Sequence, residues 1–354
     1  MNKALDKKLF KIVDNFSIEG KVISIQPYGE GHINHTFIVT TDKKRYILQS
    51  INDYVFPDVD GLMNNICGVT EHIKSKGAET LAIVYTKDGK KYVRDGEPYR
   101  IFEFNENTIT LQTVSDARVF KNIGYAFGTF QKQLADYDAT TLVEVIPDFH
   151  NTPKRFRDFE KVLKADAVGR AKLCKNEIKF ILDRKDTLSK VTDGIKDGSI
   201  PLHVTHNDTK INNILVDAIT GVARAVVDLD TVMPGSMLYD FGDAVRFGAA
   251  TAREDEPDLS KVNIDLKLFK AYAEGFYSAV KESITEKEKD LLVYSVYLMT
   301  FEVGMRFLTD YLDGDKYFNT AYEDHNLVRA KNQLKMVKEI ENNFDEMSEI
   351  VNRL

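Results

Sequence analysis

What most restricts how this chain can fold is a pair of short segments with a hairpin written between them. They are His206-Asn207-Asp208-Thr209-Lys210-Ile211-Asn212-Asn213 and Val226-Val227-Asp228-Leu229-Asp230. Ile214-Leu215-Val216 reads as an apolar strand, Asp217 to Gly221 as a turn, and Ala223 to Val227 as a returning strand. Such a hairpin is expected to carry Asp228 back beside Asn213, so that two oxygen ligands distant in sequence converge on one hard cation such as Mg²⁺. Asp208 then stands where a carboxylate can orient a hydroxyl and take its proton. A His-x-Asp triplet alone says little. Asn213 at its fixed offset and Val-Val-Asp at hairpin distance make this the layout of a phosphate-transfer site.

Strand and helix signals divide the chain around that hairpin. After a short amphipathic helix, strand-like runs cover Val22 to Ile25, Thr36 to Thr41, Arg45 to Ile51, Leu81 to Tyr85 and Tyr99 to Phe104. A helix is expected from Asp58 to Lys76, with Leu62, Met63, Ile66, Val69 and Ile73 on its apolar face. Beyond Leu111 nearly everything reads as helix. Thr285-Glu286-Lys287-Glu288 has the pattern of a capping box and is expected to open one long helix through Leu291, Val296, Phe301 and Leu308. A last helix runs through Leu327, Leu334, Val337, Ile340 and Phe344. The expected class is α+β: a small antiparallel sheet lobe with one main helix over residues 1–104, then a larger, mostly helical lobe over 105–354.

Composition narrows the partners. Net charge is −7 and no block rich in Lys and Arg occurs, which argues against nucleic acid. Cys67 and Cys174 match no zinc spacing, no run approaches a membrane span, and the first residues lack the apolar core of a signal peptide. A soluble, cytoplasmic protein is the expectation, with the oligomeric state left open.

The His-x-Asp-x-x-x-x-Asn pattern with its following Asp resembles the aminoglycoside phosphotransferase and choline kinase branch of the protein-kinase-like fold. The resemblance implies ATP as co-substrate and Mg²⁺ held by Asn213 and Asp228, with Asp208 as the base. It implies that His206 holds the catalytic loop, and that Asp240 in Tyr239-Asp240-Phe241-Gly242-Asp243 anchors its backbone. It also places the adenine against connector backbone near Phe104. Gly29-Glu30-Gly31-His32-Ile33-Asn34, alone a Gly-rich turn between strands, becomes a phosphate loop. Gly29 and Gly31 let backbone approach the phosphates. Asn34 replaces a third glycine, and its amide or the His32 ring is a candidate phosphate donor. Gln49 stands where a phosphate-binding lysine is expected and brings no charge. Either the chain is a catalytically weak nucleotide-binding scaffold, or the charge comes from elsewhere, Lys210 being the candidate. Retention of Asp208, Asn213 and Asp228 favours the active enzyme.

A narrower resemblance rests on four segments: 206–213, Val-Val-Asp-Leu-Asp-Thr-Val-Met-Pro (226–234), Gly-Glu-Gly-His-Ile-Asn (29–34) and Arg-Phe-Leu-Thr-Asp-Tyr-Leu (306–312). Together they look like the N-acetylhexosamine 1-kinases, which phosphorylate the anomeric hydroxyl of GlcNAc and GalNAc. The resemblance implies that Asp230, Arg306, Tyr317 and Phe247 serve sugar binding; spacing alone allows Asp230 a second metal ion instead. Taken by itself, the four-residue step of Glu302, Arg306 and Asp310 is an exposed ion-pair ladder. The alternatives are the same chemistry on choline, ethanolamine or a methylthioribose. Absence of tryptophan argues modestly against a choline cage.

Overall fold

Alternation along one strand sets the first sheet. In Arg45–Ser50, Tyr46 and Leu48 are buried on one side while Ile47 and Gln49 point to the other. A computed structural model describes residues 3–29 and 33–354, with side chains in the first helix from residue 7. The chain forms two compact units. Met1–Ile109, Thr140–Pro147 and Leu215–Met233 make the first; Thr110–Ala139, Asp148–Ile214 and Pro234–Leu354 make the second.

In the first unit, α1 (Lys3–Val13) is followed by β1 (Val22–Pro27), β2 (His35–Thr41), β3 (Arg45–Ser50), α2 (Val59–Ser75), β4 (Ile83–Val84), β5 (Val93–Asp95), β6 (Glu97–Glu103) and β7 (Thr108–Ile109). The main sheet has the order β1-β2-β3-β6-β4, with β5 paired to β6. Leu9, Ile12 and Val13 of α1 join Val39, Tyr46, Leu48 and Ile101 in one apolar core. On the other face Arg100 of β6 reaches toward Met63 of α2. Asp58 caps α2 by accepting from the Gly61 amide at 2.8 Å. β4 is shorter than its apolar run suggested. β5 escapes a search for apolar runs because Val93-Arg94-Asp95 has one apolar residue. The expected hairpin forms from strands Ile214–Asp217 and Ala223–Val226, and Thr108 and Ile109 pair with Asp217 and Val216.

The second unit is helical: α3 (Ala117–Gln133), α4 (Thr152–Ala165), α5 (Lys175–Leu182), α6 (Lys190–Asp197), α7 (Met237–Gly248), α8 (Leu266–Val280), α9 (Glu286–Asp290), α10 (Leu292–Asp313), α11 (His325–Asn342) and α12 (Phe344–Asn352). α3 and α8 touch backbone to backbone. A Cβ at Gly124 would run into the carbonyl of Tyr272, one at Gly128 into that of Phe276, and one at Gly275 into that of Lys121. The capping box at Thr285 and Glu288 is present, yet it opens a short α9 rather than the long helix. Glu288 is buried and its carboxylate also meets His203 Nε2 at 2.7 Å, which ties down that turn; the chain leaves helical geometry at Leu291 before α10 begins. A similar break at Asn343 divides the last helix in two. Among the described residues no helix is long and apolar enough to cross a membrane. An antiparallel-sheet region followed by a helical region is the architecture anticipated from the residue pattern.

Candidate active site

The catalytic-loop candidates hang on one buried carboxylate. Asp240, in the first turn of α7, accepts from the backbone amides of His206 at 2.9 Å and Asn207 at 2.7 Å. It also accepts from Gln131 Nε2 of α3 at 2.6 Å, and its own carbonyl accepts from the Thr209 hydroxyl at 2.7 Å. Burial pushes the Asp240 carboxyl above its ordinary range, against the pull of His206 and these donors. Asn207 adopts a φ of 64°, a left-handed turn that a short amide side chain tolerates and that aims the next residue outward. The buried His206 ring meets Phe127 and Phe130 edge-on at 5.9 and 6.0 Å, and its Nδ1 faces the Asp208 amide at 3.3 Å.

That scaffold presents Asp208, half-buried, with Lys210 Nζ 2.9 Å from its Oδ1. Asn213 Nδ2 donates to the Asp208 carbonyl at 2.7 Å, so the amide nitrogen is committed and the oxygen is the end left for a cation. The second unit therefore brings Asp208, Lys210 and Asn213 together, with His206 and Asp240 beneath them. Asp243, one turn along α7, is buried, which would raise its carboxyl. Arg246 at 2.9 Å outweighs that, with Lys210 and His150 adding to it, and holds the group below its ordinary range.

A second cluster adjoins the loop. His150 Nδ1 lies 2.9 Å from Glu302 Oε1, its Nε2 faces the Asn207 carbonyl at 3.4 Å, and Thr152 donates to Glu302 at 2.5 Å. Burial would raise Glu302, but His150 and these bonds hold it below the ordinary carboxylate range. One turn on, the Arg306 guanidinium lies 5.5 Å from the Phe149 ring, 5.8 Å from Tyr317 and 5.5 Å from Phe318. Asp310 accepts from the amides of Lys316, Tyr317 and Phe318 at 2.8–2.9 Å and so fixes the turn that carries Tyr317. Glu302 and Asp310 are buried with partners of their own, so the exposed ion-pair ladder suggested by spacing does not form. Burial and the nearby Arg306 both push the Arg155 guanidinium downward. Tyr317 is 65% exposed; Phe247, in the last turn of α7 and 36% exposed, is not one of the three rings around Arg306.

In the first unit Asp228 is exposed at a φ of 60° and opens the 3₁₀ turn Leu229–Thr231. Asn65 of α2 holds this segment, donating to the Val232 and Val143 carbonyls at 2.9 and 2.8 Å. Asp230 is buried. Its Oδ1 lies 2.6 Å from Arg100 Nη2, and its Oδ2 accepts from Asn34 Nδ2 at 2.5 Å. Gln49 Oε1 accepts from the same guanidinium at 2.8 and 3.1 Å. Phe104 meets Tyr28 edge-on at 5.9 Å, with the Arg45 guanidinium 4.1 Å from its ring centre. Gly29 has a φ of 75° and open space where a Cβ would stand. Gly31 and His32 lie outside the described residues.

Each oxygen is, taken by itself, of a type that Mg²⁺ accepts: an amide oxygen at Asn213 in the second unit and a carboxylate at Asp228 in the first. Reading the sequence overlooked Arg100, Gln131, His150, Arg155 and Asn65. Only Arg100 carried a local signal, as a charge inside the apolar run Tyr99-Arg100-Ile101-Phe102. The others are recognisable only through partners distant in the chain.

Comparison with known proteins adds the family. The profile of the Phosphotransferase enzyme family matches residues 24–273. Among solved structures, a microcompartment-associated aminopropanol kinase superposes with a TM-score of 0.64 at 14% identity, covering 98% of this chain and 99% of the other. A choline kinase from Cryptosporidium parvum gives 0.61 at 14% identity, with 98% of each chain covered. A spectinomycin phosphotransferase, APH(9)-Ia, solved with ADP and spectinomycin, gives 0.55 at 13% identity, again over 98% of each chain. At such identities the likeness shows the fold, the two-lobe protein-kinase-like one.

Proposed function

The chain belongs to the Phosphotransferase enzyme family, and on that premise we propose that it transfers the γ-phosphoryl group of ATP to the anomeric O1 hydroxyl of an N-acetylhexosamine, GlcNAc or GalNAc, giving the sugar 1-phosphate and ADP. The observation that carries the chemistry is the cluster of Asp208, Lys210 and Asn213 on a loop hung from Asp240. Asp208 accepts the O1 proton as the bond to phosphorus forms, late in a loose transition state. Lys210, held at 2.9 Å from Asp208, supplies positive charge where the phosphoryl oxygens pass. Asn213 and Asp228 are the residues that would hold Mg²⁺, which when bound neutralises the nucleotide's phosphate oxygens. Gly29 and Asn34 line the nucleotide side, and Phe104 belongs to its connector end.

Support for a sugar acceptor comes from Arg306 among three aromatic rings. Guanidinium donors suit an acetyl carbonyl and vicinal hydroxyls, and Tyr317 offers a face for a sugar ring. Phe149 in that group is joined through His150 to the carbonyl of Asn207, next to Asp208, so base and acceptor candidates share one framework. The amino-alcohol acceptors named for two of the neighbours are cations at neutral pH, and Arg155 and Arg306 would repel them. That favours a neutral acceptor. The cytoplasm, where ATP and Mg²⁺ are abundant, is the setting this reading fits.

The test is a transfer assay with Mg·ATP over GlcNAc, GalNAc, glucose, galactose, choline and methylthioribose, with the phosphorylated carbon assigned by NMR. An anomeric phosphate on an N-acetylhexosamine is the expected product. Product on choline alone would discard the sugar pocket while keeping the chemistry. Asp208→Asn is expected to lower kcat by about 100- to 10,000-fold with ATP affinity unchanged; retained turnover would remove the role given to Asp208.

A further inference from the structure

Position 49 lacks the lysine that its strand carries in most kinase-like enzymes, and the structure puts a different cation next to it. The β3–β6 register sets Gln49 directly opposite Arg100. Side chains so paired are immediate neighbours, so a lysine at 49 would press a second cation against the guanidinium. Glutamine does the reverse. Its Oε1 accepts from Arg100 Nε and Nη2 at 3.1 and 2.8 Å, while its Nε2 donates to the Thr36 hydroxyl at 3.1 Å, which fixes the direction of the amide. The same guanidinium lies 2.6 Å from Asp230 Oδ1, 4.0 Å from Met63 Sδ and 5.0 Å from the Phe102 ring centre, and it is 1% exposed.

The other carboxylate oxygen continues the chain of contacts. Asp230 Oδ2 accepts from Asn34 Nδ2 at 2.5 Å, and Asn34 Oδ1 accepts from the Asn52 amide at 3.0 Å. Thr36, Gln49, Arg100, Asp230, Asn34 and Asn52 thus form one connected path inside the first unit. It links the end of the candidate phosphate loop to the segment that begins at Asp228. A buried ion pair is a poor source of net stability compared with apolar side chains of the same volume, so its worth lies in the geometry it enforces.

We propose that Arg100 is the organising cation of the nucleotide site: by holding the Asp230 carboxylate it fixes Asn34, the residue that leads into β2. It is a positioning residue, and Gln49 is the side chain that this arginine requires across the strand pair. The inference rests on the nucleotide half of the function proposed above and is independent of the acceptor.

Mg·ATP affinity, measured calorimetrically on the full chain alongside melting temperature, tests it in Arg100→Met, Asp230→Asn, Asn34→Ala and the pairs Arg100→Met/Asp230→Asn and Arg100→Met/Asn34→Ala. Arg100→Met is expected to melt lower, because it strands a buried carboxylate. Arg100→Met/Asp230→Asn, with neither charge, should recover melting temperature yet bind Mg·ATP about tenfold more weakly or worse. The affinity losses of Arg100→Met and Asn34→Ala should be shared in their pair rather than multiplied. Wild-type affinity in Arg100→Met/Asp230→Asn would overturn the proposal, and so would losses that multiply. If Arg100→Met does not fold, Arg100→Met/Asp230→Asn decides alone. A wild-type chain that binds Mg·ATP but phosphorylates no N-acetylhexosamine would sink the acceptor and leave this inference standing; one that binds no Mg·ATP would overturn it.

Discussion

In the first unit Asp230 is buried against a full positive charge, the Arg100 guanidinium 2.6 Å away. In the second unit Asp240 is buried among neutral donors, the amides of His206 and Asn207 and the side chain of Gln131. The two solutions fail differently. An ionic hold uses two side chains, so both charges can be removed together and the site made apolar. A hold on backbone amides has no such remedy, since the donors belong to the loop itself and stay buried whatever replaces the acceptor. The segment of His206 and Asn207 is therefore bound to its carboxylate in a way that no paired substitution undoes, whereas the hold on Asp230 can be removed as a pair.

The sharpest break in this contrast is Asp240→Ala. Three buried donors lose their acceptor, each at about 1–3 kcal/mol, and with the loop displaced kcat is expected to fall by roughly a hundredfold or more. Denaturant titration and steady-state kinetics read both effects; a second-site substitution that restored stability in full would erase the distinction. Arg100→Met comes next, at about 3–5 kcal/mol, and differs in being recoverable by Asp230→Asn. Gln131→Leu removes one neutral donor and should cost about 1–2 kcal/mol by the same denaturant titration, with a smaller loss in kcat. A cost equal to that of Asp240→Ala would mean that the loop amides contribute little.

Acid titration of stability separates the carboxylates by sign. Asp243 and Glu302 are held below their ordinary values of 3.8 and 4.5. The stability they add is present above those values and is lost as pH falls through their lower folded-state values. Asp240 is raised, so it keeps its proton in the native state after the unfolded chain has released one. Its contribution falls as pH rises from 3.8 through its folded value. Glu302→Gln should accordingly flatten the acid limb of a melting-temperature profile, and Asp240→Asn should remove the opposing slope above it. Equal profiles for the two variants would refute the assignment. Smallest of all, Thr285→Ala removes the capping box of α9 at about 1 kcal/mol without changing kcat or KM.

Much of this was readable from residue order. Hairpin and capping signals are local, so the strands at 214–217 and 223–226 and the capping box at Thr285 follow from neighbouring residues. Where α9 stops was not readable, because Glu288 answers to His203, 85 positions away. Gln49 could be recognised as lacking a charge, yet its partner on β6 required the sheet register. His150 and Gln131 carry no local signal either, since each matters through a contact more than 50 residues distant. The ladder of Glu302, Arg306 and Asp310 misled for a related reason. Four-residue spacing puts side chains on one face of α10 but does not say that the face is buried.

The contact between α3 and α8 bears on how this scaffold could be re-engineered. Gly124, Gly128 and Gly275 set the separation of the two helices by main-chain atoms, which cannot be varied by substitution elsewhere. Gln131, near the end of α3, hands that fixed distance on to Asp240 and the loop above it. Libraries that randomise the residues around Arg306, the proposed acceptor site, can therefore be screened while the α3–α8 contact stays unchanged, provided the three glycines are left alone. Any side chain added at one of them would force the two helices apart and carry that shift through Gln131 to the segment held by Asp240.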